Sequence, residues 1–588
     1  MNLLISSAKI REIEKRQTGV VKKENKLIVT AVVLMFLTGI FFAQDDPYKL
    51  NIVRFFVLTA LIAAYNVILF LRKAEWEHRK TVLQCSCMSF FTIGLIQGIC
   101  LMRRTENVNE HLRTGLGIVL AVILLGAFLI LLKIEKGVTE NVITLVIFAA
   151  FLLKIFLVVL TQAELFQNDA TRFHLDCQGH LGYICHLFTN GKLPDIDPTT
   201  AFEFCQPPFY YAVSALFLRV FDLLRLLPEN SFYWDETLQI LPMAYSMMTL
   251  VFIDKIGKQM KLSCEARLMA VCFAGFLPYS VIMSGALNND TLTTLLMVMC
   301  IYYTFKWYEN PDMKGILIMA LCIGCAMMTK LSGGLIAPAM AVLMLMRAWK
   351  DREKWTVYLK QFVCFGLIAF PLGCWYSVYC YIRYRMPFGY VVSFGESELH
   401  FIGMYDKWSR LLNFDRAFEY LAIRDNYVYE FADYNIPVSL VKYATFSDAR
   451  YYDASELTTV AGTGVFWINV LLFISMPLLA AAWCFFRDGR RIQKIFMLTA
   501  AGVSLYSYVK FCFKYTHVCS MNIRYIMCAV YIGFLAAAAA VSEIQRRAGA
   551  KNVIGGKICK CIMVGLPVFY AAAVIVLQAG IELVLPLL

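Results

Sequence analysis

A carboxylate at a membrane–water boundary is well placed to take a proton from a hydroxyl group. Asp169 is such a residue, nine residues past Leu160, where an apolar run ends. It lies in a segment, 161–206, with six carboxylates against two basic residues and three of the chain's seven histidines. A solvated acidic loop has this composition too; the sharper reading is a site that needs a carboxylate base, a metal, or both. His174, Asp176 and His180 are the candidate ligands for a divalent metal, although their spacing matches no standard ligand motif. Two cations stand out elsewhere. Arg524 sits at the mouth of an apolar run, where an arginine either snorkels to the interface or meets an anion such as phosphate. Lys330 lies inside the apolar run 315–346 with no carboxylate near it in sequence. An intramembrane lysine is a functional candidate by default, unless the chain breaks there and the side chain reaches the interface.

The elements that carry these residues are membrane spans. Of 588 residues, 60% are hydrophobic and only 16% charged, against roughly 45–50% and about 25% in soluble chains. The apolar residues arrive in bilayer-length blocks, so the chain reads as polytopic, and a disordered protein, a secreted disulfide scaffold and a nucleic-acid binder are excluded. The net charge of +13 sits mostly in short loops and reports topology. Most of the 20 cysteines lie in apolar runs as small hydrophobes. Cys177, Cys185 and Cys205 fall in an outside loop, where a disulfide is possible and its pairing open; Cys519 stands apart.

Residues 1–26 carry seven Lys or Arg and read as a cytoplasmic basic N-terminus. Residues 27–140 hold four spans, 141–382 a transmembrane module containing the outside loop 161–206, and 464–588 the C-terminal spans. Between the last two regions, 383–463 forms an outside loop rich in aromatic residues, including Tyr405, Trp408 and Tyr434. It reads either as an interfacial belt or as a platform for sugars. In all, 14–16 hydrophobic spans are expected. Two arrangements satisfy the charges in the middle. In one, 207–227 lies in the interface without crossing, and Asp290 is outside; in the other it crosses, and the doubled run 315–346 counts once.

Several short motifs follow one another in an order that resembles a known family. They are Gln167-Asn168-Asp169, Gly179-His180-Leu181-Gly182, Asn190-Gly191-Lys192-Leu193-Pro194, Gln206-Pro207-Pro208, Asn288-Asn289-Asp290, Thr329-Lys330, Asp433-Tyr434-Asn435-Ile436-Pro437 and Asn522-Ile523-Arg524-Tyr525. In this the chain is similar, over about 150–540, to bacterial integral-membrane glycosyltransferases of the type-C fold. That group is related to the protein O-mannosyltransferases and the aminoarabinose lipid A transferases. The resemblance implies an all-α polytopic helix bundle of the GT-C kind, with outside-facing loops carrying short helices. It implies transfer of a sugar from a polyprenyl-phosphate donor to a hydroxyl of a protein, glycolipid or wall polymer, at the outer face of a bacterial membrane. Asp169 matches the catalytic carboxylate, and His180, Lys192, Gln206, Asp290, Lys330, Arg524 and Tyr525 fall in the substrate-binding segments. Among these, Arg524, with Lys330 or Lys192, would face the lipid-linked phosphate. The family commonly writes His-Pro-Pro where this chain has Gln206-Pro207-Pro208, and glutamine neither titrates nor offers an imidazole. No nucleotide-binding motif is present, and none is needed with a lipid donor. The rival readings are a transporter or flippase of a lipid-linked sugar and a non-catalytic scaffold. A transporter predicts intramembrane charge pairs and a repeat relating two halves.

Overall fold

The computed structural model describes residues 140–160, 163, 178–223, 227, 234–392, 401–414, 434–447, 456–551 and 553–580. All of them fall in the second of two units, 107–588. The expectations for 1–139 lie outside the described residues, as do Asp169, His174, Asp176 and Cys177.

The described chain is helical. Helices of ten or more residues are numbered α1 (Glu140–Leu160), α2 (Gly179–Asn190), α3 (Phe209–Leu223), α4 (Ile240–Gln259), α5 (Cys264–Phe276), α6 (Asp290–Glu309), α7 (Met313–Thr329), α8 (Ala337–Lys350), α9 (Trp355–Tyr384), α10 (Ile436–Phe446), α11 (Glu456–Phe485), α12 (Arg491–Lys514), α13 (Met527–Lys551) and α14 (Val553–Gly580). Among the described residues the only bridge of β type is an isolated one between Phe401 and His517. Among the described residues, seven stretches are long and apolar enough to cross a membrane: 240–259, 331–350, 352–384, 456–485, 491–514, 518–547 and 562–579. At 1.5 Å per residue, 20 residues cover about the 30 Å of a hydrocarbon core. The chain is an integral, multi-pass membrane protein.

Burial sorts these helices. The apolar window of α4 is 94% buried, whereas those of 352–384 and 456–485 are 22% buried. Helices α4, α5 and α13 therefore form the core, and α9 and α11 present apolar side chains such as Leu367, Phe370, Leu471 and Ile474 to the surroundings. For a soluble protein that would be an aggregation liability; for a bilayer protein it is the lipid face.

Caps and breaks set where the helices turn. Ser263 Oγ accepts from Ala266 N at 3.3 Å to start α5, and Asp312 Oδ1 accepts from Gly315 N at 2.7 Å to start α7. Helix α7 stops where Lys330 turns extended, with φ −158° and ψ 130°. A tight 3₁₀ turn, Leu331–Ile336, then leads into α8. Gly333 makes that turn possible, since a Cβ there would lie 2.6 Å from Ala326 O.

These breaks define two ends. Lys330 of the α7–α8 break bonds Asp290 at the start of α6, so α6 and α7 are the arms of one hairpin. Residues 331–350 are long enough to return across the bilayer. The doubled run is thus two helices, broken at Lys330. Within 207–227 the structure describes α3, a helix of 15 residues.

The end opposite Lys330 is held by charge. Arg267 of α5 donates from Nε to Asp254 Oδ1 at 2.9 Å and from Nη2 to Glu140 Oε2 at 2.9 Å, joining α5, α4 and α1. Nearby, Lys258 pairs with Asp254 at 3.0 Å. In the turn between α11 and α12, Asp488 accepts from Trp483 Nε1 at 2.6 Å and pairs with Lys494 at 2.8 Å.

Candidate functional site

Three segments distant in sequence meet at the Lys330 end. Asp290 is the first residue of α6, where the helix dipole favours a carboxylate. Its own N–H donates to Asn288 Oδ1 at 3.0 Å, which fixes the turn into the helix. Asp290 Oδ1 lies 2.5 Å from Lys330 Nζ, and its Oδ2 lies 4.0 Å from Arg524 Nε. Arg524 is set by a short 3₁₀ turn, Ile523–Ile526, opened by Asn522, whose Oδ1 accepts from Arg524 N at 3.0 Å. Tyr525 lies between the cations. Its ring centroid is 5.1 Å from Lys330 Nζ and 5.1 Å from Arg524 Cζ, and its hydroxyl accepts from Arg524 Nη2 at 3.1 Å.

Asn289 joins this cluster to the segment 178–206. Its Nδ2 donates to Thr329 O at 3.2 Å and reaches Gln206 Oε1 at 3.5 Å. That segment is itself anchored, with Tyr376 Oη of α9 donating to Phe204 O at 2.9 Å and Arg383 pairing with Asp195 at 2.5 Å. Of the residues singled out from sequence, the structure thus brings together Gln206, Asp290, Lys330, Arg524 and Tyr525.

Two others stand elsewhere. His180 is buried within the loop, its Nδ1 2.8 Å from Tyr211 Oη and its Nε2 4.0 Å from Glu203 Oε2. Lys192 is exposed in the turn after α2. Among the described residues no three metal-ligating side chains gather. Cys185, Cys205 and Cys519 are free thiols, with Cys205 buried against Tyr376 and Cys380. Burial pushes the Cys205 thiol up to about 12, which keeps it protonated. In the aromatic loop, Tyr405 and Tyr434 stack at 3.8 Å, while Tyr427, Tyr429 and Phe431 lie outside the described residues.

The Asp290–Arg524 pair forms a wall between two cavities that also share Thr294 and Met527. The first reaches inward and is lined by the hydroxyl-bearing Ser246, Thr249, Tyr279, Ser280, Thr291 and Tyr531. The second runs past Ser332, Ser504 and Tyr525. Arg524 and Asp290 stand at their junction and Lys330 pairs with Asp290 beside it, which leaves the cluster one positive charge over in a partly buried setting where anions bind strongly. Guanidinium and ammonium together offer the donors that a phosphate takes.

Sequence reading missed the interior part of this site. Lys154 of α1 is completely buried, and donates to Ser280 O at 2.7 Å and to Ser280 Oγ at 3.2 Å. It is the one basic residue in the run 141–160, the same signal that marked Lys330. Ser280, Thr291 and Tyr531 gave no signal of their own.

With fold and site in place, the chain reads as a polytopic membrane protein whose described residues are helical. The resemblance drawn from the motifs is borne out over residues 206–375, which match the family model of dolichyl-phosphate-mannose-protein mannosyltransferases. Two solved structures are also similar to the chain. One is the oligosaccharyltransferase of Archaeoglobus fulgidus tethered to an acceptor peptide containing the NVT sequon. It is 12% identical over 76% of this chain and 56% of its own, with a TM-score of 0.44. This chain therefore spans about half the length of that enzyme. The other is ArnT from Cupriavidus metallidurans bound to undecaprenyl phosphate, 12% identical over 70% of this chain and 80% of its own, with a TM-score of 0.31. No curated protein matches the sequence.

Proposed function

We propose that the chain is a membrane glycosyltransferase that moves a sugar from a polyprenyl-phosphate donor, undecaprenyl or dolichyl, to a hydroxyl of a protein, glycolipid or wall-polymer acceptor at the outer face of the membrane. The observation that carries this reading is the Lys330–Asp290–Arg524 cluster, set where helix breaks meet and beside a hydroxyl-lined cavity. The family match over 206–375 supports the same class of donor.

In this reading the isoprenoid tail lies in the bilayer and the phosphate meets Lys330 and Arg524. Asp290 holds the two cations close enough to act on one anion. The acceptor oxygen attacks the anomeric carbon and its proton passes to Asp169. The bond from that carbon to the phosphate oxygen breaks, and the electron pair leaves on polyprenyl phosphate. Charge grows on the leaving phosphate as the sugar takes on oxocarbenium character, so fixed cations there stabilise the transition state more than the ground state. Gln206, held by Asn289, lines the approach as a hydrogen-bonding group without a titrating proton.

The test is sugar transfer by the full chain in liposomes, with radiolabelled polyprenyl-phosphate monosaccharides as donors. Release of polyprenyl phosphate by wild type, abolished in Asp169→Asn at equal expression, supports the transferase. Donor bound and moved across the bilayer with its sugar intact would instead make the chain a lipid-sugar transporter.

A further inference from the structure

Burying an ammonium group is costly, by several kcal/mol even after relaxation, so a fully buried lysine needs strong partners or a function. Lys154 has no carboxylate partner among the described residues; both of its hydrogen bonds go to Ser280. Ser280 lies in the short turn Pro278–Ile282, on the wall of the inner cavity. Tyr531 Oη also donates to Ser280 Oγ, at 3.1 Å. Lys154 Nζ and Tyr531 Oη both donate to Ser280 Oγ, so together they occupy both lone pairs of that hydroxyl. The Ser280 proton is then the part left to bond, and it is available to a group in the cavity. Across the same cavity, Thr291 Oγ1 is buried without a hydrogen-bond partner among the described residues. Such a group is expensive to leave unmade and suits a ligand rich in hydroxyls.

We propose that Lys154 is a positioning residue, one that fixes Ser280 as a donor into the inner cavity, and that this cavity of about 30 Å³, room for one or two waters, takes a hydroxyl of the sugar end of the lipid-linked donor. The proposal rests on the transferase reading above, with the phosphate at Lys330 and Arg524. It separates two tasks. The outer cations hold the phosphate whatever sugar it carries, and the Lys154–Ser280–Thr291 set distinguishes a sugar-bearing lipid from a bare one.

The experiment measures binding of the full chain, in detergent, to undecaprenyl phosphate and to undecaprenyl phosphate carrying mannose, glucose or galactose. Variants are Lys154→Met, Ser280→Ala and the double variant, each with its melting temperature. The expected result is that wild type binds at least one sugar-bearing lipid more tightly than the bare lipid. Lys154→Met and Ser280→Ala each lose about five- to tenfold of that preference, the size of one hydrogen bond. The double variant loses no more than either single one, and bare-lipid affinity holds within about twofold. Lys154→Met keeps the wild-type melting temperature or exceeds it, since an apolar side chain replaces a polar group buried without a charge partner among the described residues. A lysine that merely staples α1 to the Pro278–Ile282 turn gives a different result: a lower melting temperature, equal weakening toward both lipids, or additive losses. Any of these overturns the proposal, as does a wild type with no preference for a sugar-bearing lipid. Failure of wild type to bind any of the four lipids contradicts the transferase reading itself.

Discussion

Lys330 Nζ lies 2.5 Å from Asp290 Oδ1 although 40 residues separate them in sequence. The contact exists because α7 stops at Lys330 just where α6 begins at Asp290, so two helix ends meet. It converts an intramembrane lysine with no neighbouring carboxylate into half of an ion pair. Arg524, arriving from the turn before α13, makes the pair a triad with one positive charge in excess.

Asp290 keeps two cations together, and removing it leaves both facing each other in a partly buried site. Asp290→Asn is expected to lower stability by about 1–3 kcal/mol and to cut turnover at least tenfold. Thermal denaturation and initial rates on the same preparation measure the two effects.

Arg524 and its conservative replacement are expected to differ. Arg524→Ala should weaken binding of bare undecaprenyl phosphate by about ten- to a hundredfold, the worth of a charge-assisted contact. Arg524→Lys keeps the charge but not the fork, and should recover only part of the loss. Titration of the lipid at two salt concentrations checks this, with wild type the more salt-sensitive.

Gly333 provides a backbone test. A Cβ at this position would sit 2.6 Å from Ala326 O, whereas at Gly334 the nearest atom is a flexible Met327 side-chain carbon at 3.4 Å. Gly333→Ala should therefore displace the turn that carries Lys330 and reduce turnover about tenfold or more. Gly334→Ala should remain near wild type in the same transfer assay.

At the opposite end, Asp488 sits in a buried setting that alone would raise its pKa. Hydrogen bonds from Lys494, Trp483 and the Arg490 backbone outweigh that and hold the carboxyl at about 2. A folded pKa below the unfolded one, near 3.9, stabilises the protein above about pH 4. That stability is lost as pH falls toward 2. Asp488→Asn should lower the melting temperature at pH 7, by the equivalent of about 1–2 kcal/mol. The gap to wild type should narrow between pH 4 and 2, which melting curves across that range will show.

Much of the architecture was legible because a bilayer imposes simple rules. Apolar runs of bilayer length became helices, and the basic clusters at Arg267, Lys258 and Arg490 fell together at one end. Arg524 and Lys330 were also legible, as charges where charge is costly, and Asp290 through the motif Asn288-Asn289-Asp290. The pairing of Lys330 with Asp290 was not, since it depends on two helix ends meeting across 40 residues. Lys154 was visible by the rule that picked Lys330, but its meaning depends on Ser280, and a serine in an apolar run carries no charge signal. His180 shows the opposite limit. Its place between acidic residues suggested a ligand-facing role, whereas packing turns its ring onto Tyr211 inside the loop.

The measurement that tests the central claim most directly is the position of the donor's phosphate, from a cryo-electron microscopy map of the full chain with an undecaprenyl-phosphate sugar. Phosphate density is expected within hydrogen-bond reach of both Lys330 Nζ and the Arg524 guanidinium, with the sugar directed toward Ser280 and Thr291. Phosphate density bound elsewhere, with the Lys330–Asp290–Arg524 cluster untouched, would contradict it.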